Sequence, residues 1–422
     1  MLLRLRSLNA NAAPGRRRAL GLRAMASATN APKIELSEQS GIKIASADNG
    51  GPTTSLSVIV NAGSRYEPAP GLAHLLQRFA FANTTKRTSF RIHRESELLG
   101  GLLEAKTTRE HLVIRSDFMR EDLPYYVELL GDVVSKTKFT DYELPERIAQ
   151  LVYFDAMAAS KNSLTVAQDV CHGVAFRRGL GNSLYADPAT MPHIDAIRSY
   201  AQSSYTRPNM TVVASGVQHA ELAQFVGEYF ADVPSGTAAK PNKTKYFGGE
   251  SRAKSPAASA FVIGFEGKPS PIVASREVDM FVLNSLLDGA THMKWNVGTN
   301  PLALAAAEAA PGVKALAQEF AYSDGGLFTI NITGPPSAIR RAAENSVKKL
   351  KDIASGVKSE DMKSAIAKAK FSILSIPENR TLFTELIGRS ILSTGKAPSL
   401  DQIANEIEKV SADKISKVSL FY

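Results

Sequence analysis

One order of strand and helix signals occurs twice in this chain, and that repetition limits the fold more than any other feature of its 422 residues. In the first half, Thr53 to Val60 alternates as a strand, and a turn with Gly63, Pro68 and Pro70 leads into a helix. A turn at Gly100 and Gly101 then precedes a strand over Thr108 to Ser116, and helices follow over Leu123 to Lys136 and Tyr142 to Ala159. The second half repeats the order: strand Ser259 to Phe265, helix Glu277 to Asp288, strand Gly326 to Thr333, helices Ser337 to Ala354 and Glu360 to Ile376. Thr107 to Arg115 aligns with Tyr322 to Ile330 at an offset of 215, and Leu144 with Met362 at 218. A near-constant offset over several elements points to a duplicated domain, with chance likeness of two α+β halves as the alternative. The expectation is an α+β fold of two homologous domains, each a mixed β-sheet covered on one face by helices. Residues 33–233 and 245–422 would form them, joined by a linker over 234–244 where Pro, Gly and Lys collect.

The net charge of +9 suggests nucleic acid until it is located along the chain. Residues 1–30 hold six arginines and no acid, which leaves +3 on the remainder. An Arg-rich, acid-free N-terminus reads as a mitochondrial transit peptide, or else as a basic tail for nucleic acid or lipid. No run reaches the length of apolar residues that a membrane span needs. Cys171 is alone, so neither a disulfide framework nor a Cys-based zinc ribbon is available. Phosphate-cradling glycine motifs are missing, and nucleotide chemistry has no support.

The informative helix follows Pro70. Leu72, Leu75, Leu76, Phe79 and Ala80 share one face, which is core, and His74, Gln77 and Arg78 lie beside it. Positions i and i+4 stack on a helix. A His at each, with Glu between, would build the H-x-x-E-H zinc site of the inverted zincins. Here the frame reads His74-Leu75-Leu76-Gln77-Arg78. Taken alone, one His on a helix is an ordinary structural residue.

The surrounding residues give it weight. Gly71-Leu72-Ala73-His74 and Phe79-Ala80-Phe81 resemble the frame around the motif of the pitrilysin-type peptidases. Leu98-Leu99-Gly100-Gly101, running on to Glu104-Ala105-Lys106-Thr107-Thr108-Arg109-Glu110, is similar to that family's Gly-Gly and Asn-Ala-Tyr-Thr-Ser-Arg-Glu strand, with Glu104 and Lys106 replacing Asn and Tyr. The resemblance covers nearly all the chain after residue 33, and it implies a third, downstream acidic ligand close to Asp155. Scored against the family, the site fails. Arg78 stays protonated and offers zinc no lone pair. Gln77 cannot accept a proton, and loss of a general base costs about 10²–10⁴-fold. His74 and Asp155 are two ligands where a catalytic zinc wants three. The resemblance therefore implies a degenerate zinc site at His74, Gln77, Arg78 and Asp155, with no catalytic residue, metal or cofactor. Arg78 is expected to pair with Asp155 where the metal would sit.

Mitochondrial branches of the family with degenerate motifs are the α subunit of the processing peptidase and the core proteins of the ubiquinol–cytochrome c reductase. The first grips presequences with a glycine-rich loop, whereas Leu287 to Trp295 here has one glycine. Tyr322-Ser323-Asp324-Gly325-Gly326-Leu327-Phe328 is similar to the second, its plain reading being a tight turn before a strand. That branch implies a non-catalytic scaffold, peripheral on the matrix side of the mitochondrial inner membrane. Its partners would be core protein 1 and other subunits of the cytochrome bc1 complex, with a presequence peptide as a guest between the halves. His93, His111, His172, His193, His219 and His292 have no metal spacing and are expected at the surface or core edge.

Overall fold

The structure is a computed structural model that describes residues 33–254, 258–270, 278–289 and 298–420. The expected transit peptide, and His292 with most of the Leu287 to Trp295 stretch, lie outside these residues. Strands β1 (Ile34–Gln39), β2 (Ile42–Ala47) and β3 (Thr53–Val60) open the first half. Helices α1 (Leu72–Phe79) and α2 (Ser89–Leu98), hairpin strands β4 (Leu102–Thr107) and β5 (Leu112–Met119), and helices α3 (Leu123–Ser135), α4 (Ala149–Ser160) and α5 (Ser163–Phe176) follow. Helix α6 (Ile194–Ser204), strand β6 (Met210–Ser215) and helix α7 (His219–Tyr229) complete it. The second half repeats the middle of this order as β7 (Ala260–Gly267), α8 (Asp279–Leu287), α9 (Pro301–Ala309), β8 (Lys314–Ala321), β9 (Gly326–Thr333), α10 (Pro336–Ser355), α11 (Ser359–Leu374) and α12 (Arg380–Thr394). Helices α13 (Leu400–Glu408) and α14 (Ala412–Leu420) close the described chain. Among the described residues no helix is long and apolar enough to cross a membrane.

The first sheet runs β1-β2-β6-β3-β5-β4 and is mixed, because β2 and β6 are parallel while the other pairs are antiparallel. The second runs β7-β9-β8, and its described pairs are all antiparallel. The hairpin corrects one sequence expectation. Thr108 to Glu110 is a turn, not strand: Thr108 N and Oγ1 both donate to His111 O, at 2.7 and 3.0 Å, and close it. A threonine hydroxyl competing for backbone partners breaks a strand that its β-branched side chain would favour.

Each sheet is covered on both faces, not on one as the order of elements suggested. Leu56, Val58, Val60 and Val212 pack into a large core with Leu72, Leu75, Leu76, Phe79 and α3 residues such as Leu130. On the opposite face Ile59 and Val213 meet Phe383, Ile387 and Ile391 of α12, which comes from the second half. The exchange is mutual: α5 of the first half lies on β7 and β9, where Ala175 and Phe176 meet Leu327. This is why Ser57, on the polar side of an alternating strand, is fully buried and shares a 3.1 Å hydrogen bond with Thr384. Close approach sets the small residues at both contacts. A Cβ on Gly388 of α12 would fall 2.5 Å from Ile59, and one on Gly264 of β7 would fall 2.6 Å from the Cys171 Sγ of α5.

Candidate functional site

Helix α1 is seated by its N-terminus. Gly71 precedes it with φ 88°, and a Cβ there would lie 2.7 Å from that of Ala186, so only glycine fits. Glu67 Oε2 accepts from Ala73 N at 3.0 Å and satisfies one of the free amides of the first turn. Burial pushes the Glu67 carboxyl up to about 7, despite these backbone hydrogen bonds.

The structure brings His74, Arg78 and Asp155 together. Arg78 holds Asp155 through Nε at 2.5 Å and a second bond from its terminal nitrogen to the other carboxylate oxygen. His74 Nδ1 accepts from Ala186 N at 3.1 Å, which leaves Nε2 to carry the ring proton and donate it to Asp155 Oδ2 at 2.9 Å. Burial lowers the His74 pKa, although Asp155 acts in the opposite direction, so the ring is neutral at physiological pH. Tyr185 stands edge-on to it at 5.8 Å. Gln77 is not part of the cluster: its Oε1 accepts from Thr107 N at 2.9 Å and ties α1 to the end of β4.

Zinc, which the H-x-x-E-H comparison implies, does not fit these residues. One imidazole nitrogen carries a proton and the other is engaged by a backbone amide, both Asp155 oxygens face a guanidinium, and a fixed cation occupies the place of the second histidine. Among the described residues no group of three His, Cys, Asp or Glu side chains could hold a metal ion.

A second cluster, which sequence reasoning missed, joins the halves. The Arg65 side chain, only 2% exposed, donates to Glu110 Oε1 at 2.7 Å, Ser323 Oγ at 3.0 Å, Asn242 O at 2.9 Å, Thr244 Oγ1 at 3.0 Å and Asp324 Oδ2 at 2.6 Å. Glu110 also accepts from Ser323 N, and Asp324 from Thr244 N. Burial alone would raise the Asp324 pKa, but bonds from Arg65 and Thr244 outweigh it and hold it below the usual carboxylate value. Glu110 and the Ser323-Asp324 pair stand in motifs already noted in the sequence, but there they read as a family-like strand end and as turn chemistry. Behind the clamp a cavity of about 680 Å³ separates the halves, with Tyr66, His111, His172, Glu319, Tyr322 and Arg389 on its walls. His111 and His172 are therefore interior residues, and burial depresses both to about 3. His172 Nε2 meets Tyr322 Oη at 2.8 Å across the halves.

The chain matches the family described as Insulinase (Peptidase family M16) over residues 43–188 and the Peptidase M16 inactive domain over residues 193–369. The join of the two matches falls inside the first sheet, since β6, in the second match, pairs with β2 and β3. It is 41% identical to "Cytochrome b-c1 complex subunit 2, mitochondrial" of Neurospora crassa, over 93% of this chain and 87% of that protein. The protein of the same description from Yarrowia lipolytica is 35% identical over 93% and 92%. The mitochondrial-processing peptidase subunit alpha of Solanum tuberosum is 30% identical over 90% of this chain and 77% of its own length.

Proposed function

We propose a function on the premise that the chain belongs to the insulinase, or M16, peptidase family: it is a non-catalytic structural subunit, core subunit 2, of the mitochondrial ubiquinol–cytochrome c reductase (cytochrome bc1 complex, complex III). The observation that carries this reading is near full-length likeness to proteins described as subunit 2 of that complex, stronger than the likeness to a processing-peptidase α subunit. The chemistry of α1 agrees. His74, Gln77, Arg78 and Asp155 are the remnant of a zinc site, in which the guanidinium has taken the metal's role as partner of the carboxylate. Such a site binds no zinc, activates no water and hydrolyses no peptide.

The finer parts of the proposal concern placement. Residues 1–30 are a transit peptide, residues 33–233 and 245–422 are the two domains, and 234–244 is their linker. The subunit pairs with core protein 1, sits peripherally on the matrix side of the inner membrane, and leaves the redox centres to other subunits. The cavity between the halves is where a presequence peptide would lodge. Blue-native electrophoresis of detergent-solubilised mitochondria carrying a tagged chain tests the assignment. Co-migration with a large, cytochrome-containing complex that includes core protein 1 is expected. Migration as a soluble heterodimer that cleaves presequences would transfer the chain to the alternative, a substrate-binding α subunit of the processing peptidase.

A further inference from the structure

The cavity between the halves has one wall whose charges do not cancel. Elsewhere on its surface Glu110 is held by Arg65, and Asp169 takes the guanidinium of Arg109 at 2.6 Å. At the end of β4 and on the exchanged helix α12, however, Glu385 alone faces two cations. Arg389 donates to it from one helical turn away, and Lys106 Nζ stands 3.9 Å off. Lys106 is 57% exposed and lines the cavity, so it marks the side that meets solvent. Among the described residues Glu319 is the remaining acid on the walls. Burial by itself pushes that carboxyl up to about 7, with no charged neighbour acting on it, so Glu319 stands clear of the two cations.

His111 adds a neutral donor. The turn between β4 and β5 fixes its backbone, since His111 N donates to Thr108 Oγ1 at 2.9 Å and its carbonyl accepts from Thr108 N. The residue lines the cavity and is 7% exposed. Its Nδ1 is enclosed without a partner, and among the described residues nothing bonds Nε2. Burial and the charge of Arg389 keep the ring neutral, with a single proton to place. An enclosed N–H without an acceptor is rarer in folded proteins than an enclosed acceptor without a donor. The proton therefore belongs on Nε2, the nitrogen left to face the cavity, and there it needs an acceptor.

We propose that this wall binds the carboxylate of an apolar organic acid, received by Lys106 Nζ, the Arg389 guanidinium and His111 Nε2. Two cations set against one carboxylate leave a surplus of one positive charge, which a single carboxylate cancels. The rest of the cavity suits an apolar body, with Tyr66, Tyr185, Leu386 and Leu392 on its walls. Its volume of about 680 Å³ falls in the roughly 300–1,000 Å³ range of small-molecule pockets, which also combine apolar walls with a few convergent polar groups. The site exists because the second half lends α12 to the first sheet: Lys106 and His111 come from the β4–β5 hairpin and Arg389 from the exchanged helix. This inference rests neither on the assignment to a respiratory complex nor on the peptide guest proposed for the cavity.

The test is isothermal titration of the purified full chain with three probes: N-acetyl-phenylalanine, its amide, and an N-acetylated alanine peptide that ends in phenylalanine with a free carboxylate. Saturable one-to-one binding of the acids is expected, with the amide weaker by about tenfold or more, since it lacks the charge-assisted bonds. Tighter binding of the peptide acid would identify the ligand as a chain terminus, and equal or weaker binding as a free small acid; either supports the site. Lys106→Gln changes an exposed side chain at a sheet edge and leaves the core alone. It should weaken both acids by about fivefold or more and leave the amide as it was. Glu319→Gln, on the other wall, should leave acid binding unchanged. Absence of binding, equal affinity for acid and amide, or indifference to Lys106→Gln would overturn the proposal. So would loss of acid binding in Glu319→Gln, which would put the ligand's polar group elsewhere in the cavity.

Discussion

Arg65 and Asp324 lie 259 residues apart in the chain and 2.6 Å apart in space. The guanidinium reaches five acceptors on Glu110, on Asn242 and Thr244, and on Ser323 and Asp324, so it fastens three segments with one side chain. Arg65→Ala should cost about 3 kcal/mol in chemical denaturation, because Glu110 and Asp324 lose their cation while still largely enclosed. Arg65→Lys should recover less than half of that, since an ammonium has three donors and no planar fork.

The same pair predicts an acid sensitivity. The folded pKa of Asp324 is depressed, so its contribution is fully present above the unfolded carboxylate range and is lost as pH falls through the lower, folded value. Wild type should lose stability as pH falls below the ordinary carboxylate range more steeply than Asp324→Asn, as read by melting temperature against pH.

Glu67 should show the opposite slope. Its folded pKa is raised to about 7 from the ordinary carboxylate value of 4.5, so the folded state holds a proton that the unfolded chain has released, and stability falls as pH rises across that interval. Glu67→Gln keeps an acceptor for Ala73 N and removes the titration. The variant should match wild type near pH 4.5 and exceed it by about 1–2 kcal/mol at pH 7.5 in thermal melts.

At α1 the guanidinium–carboxylate pair is partly solvated, with side chains 30% and 21% exposed, so Arg78→Met should cost only about 1 kcal/mol. Arg78→His is the more informative change. An imidazole there would still face a His74 whose Nδ1 accepts from the Ala186 amide and whose Nε2 carries the proton, so elemental analysis after dialysis should show no zinc bound beyond wild type. Peptide hydrolysis should still be absent, because Gln77 supplies no base.

The exchanged helices can be probed where they touch. Gly264→Ala forces a Cβ against Cys171 and should cost about 1–3 kcal/mol. Adding Cys171→Ala should return part of it, a non-additivity measurable in a double-mutant cycle.

Periodicity made the repeated elements legible: β3, β9, α3 and α10 fall within a residue or two of their expected bounds. The cluster at α1 was legible too, because its chemistry hangs on identities four residues apart on one turn. What escaped was non-local. Nothing near Ser57 says that a helix more than 300 residues later will cover it, so an alternating strand reads as half-exposed. Arg65 was overlooked for a related reason: its partners are scattered over both halves, and an arginine in a turn reads as solvated. The short strand β6 was missed because it returns to the first sheet after four intervening helices.

The mutual loan of α5 and α12 makes damage travel. A stop codon anywhere before Arg380 would strip the lid from a sheet whose strands were synthesised hundreds of residues earlier. A protease nick between Pro234 and Lys240 would leave two fragments still clasped through each other's helices. Cell-level loss from late truncations in such a chain would therefore register as failure of its beginning, and that stretch would be the most forgiving place to cut.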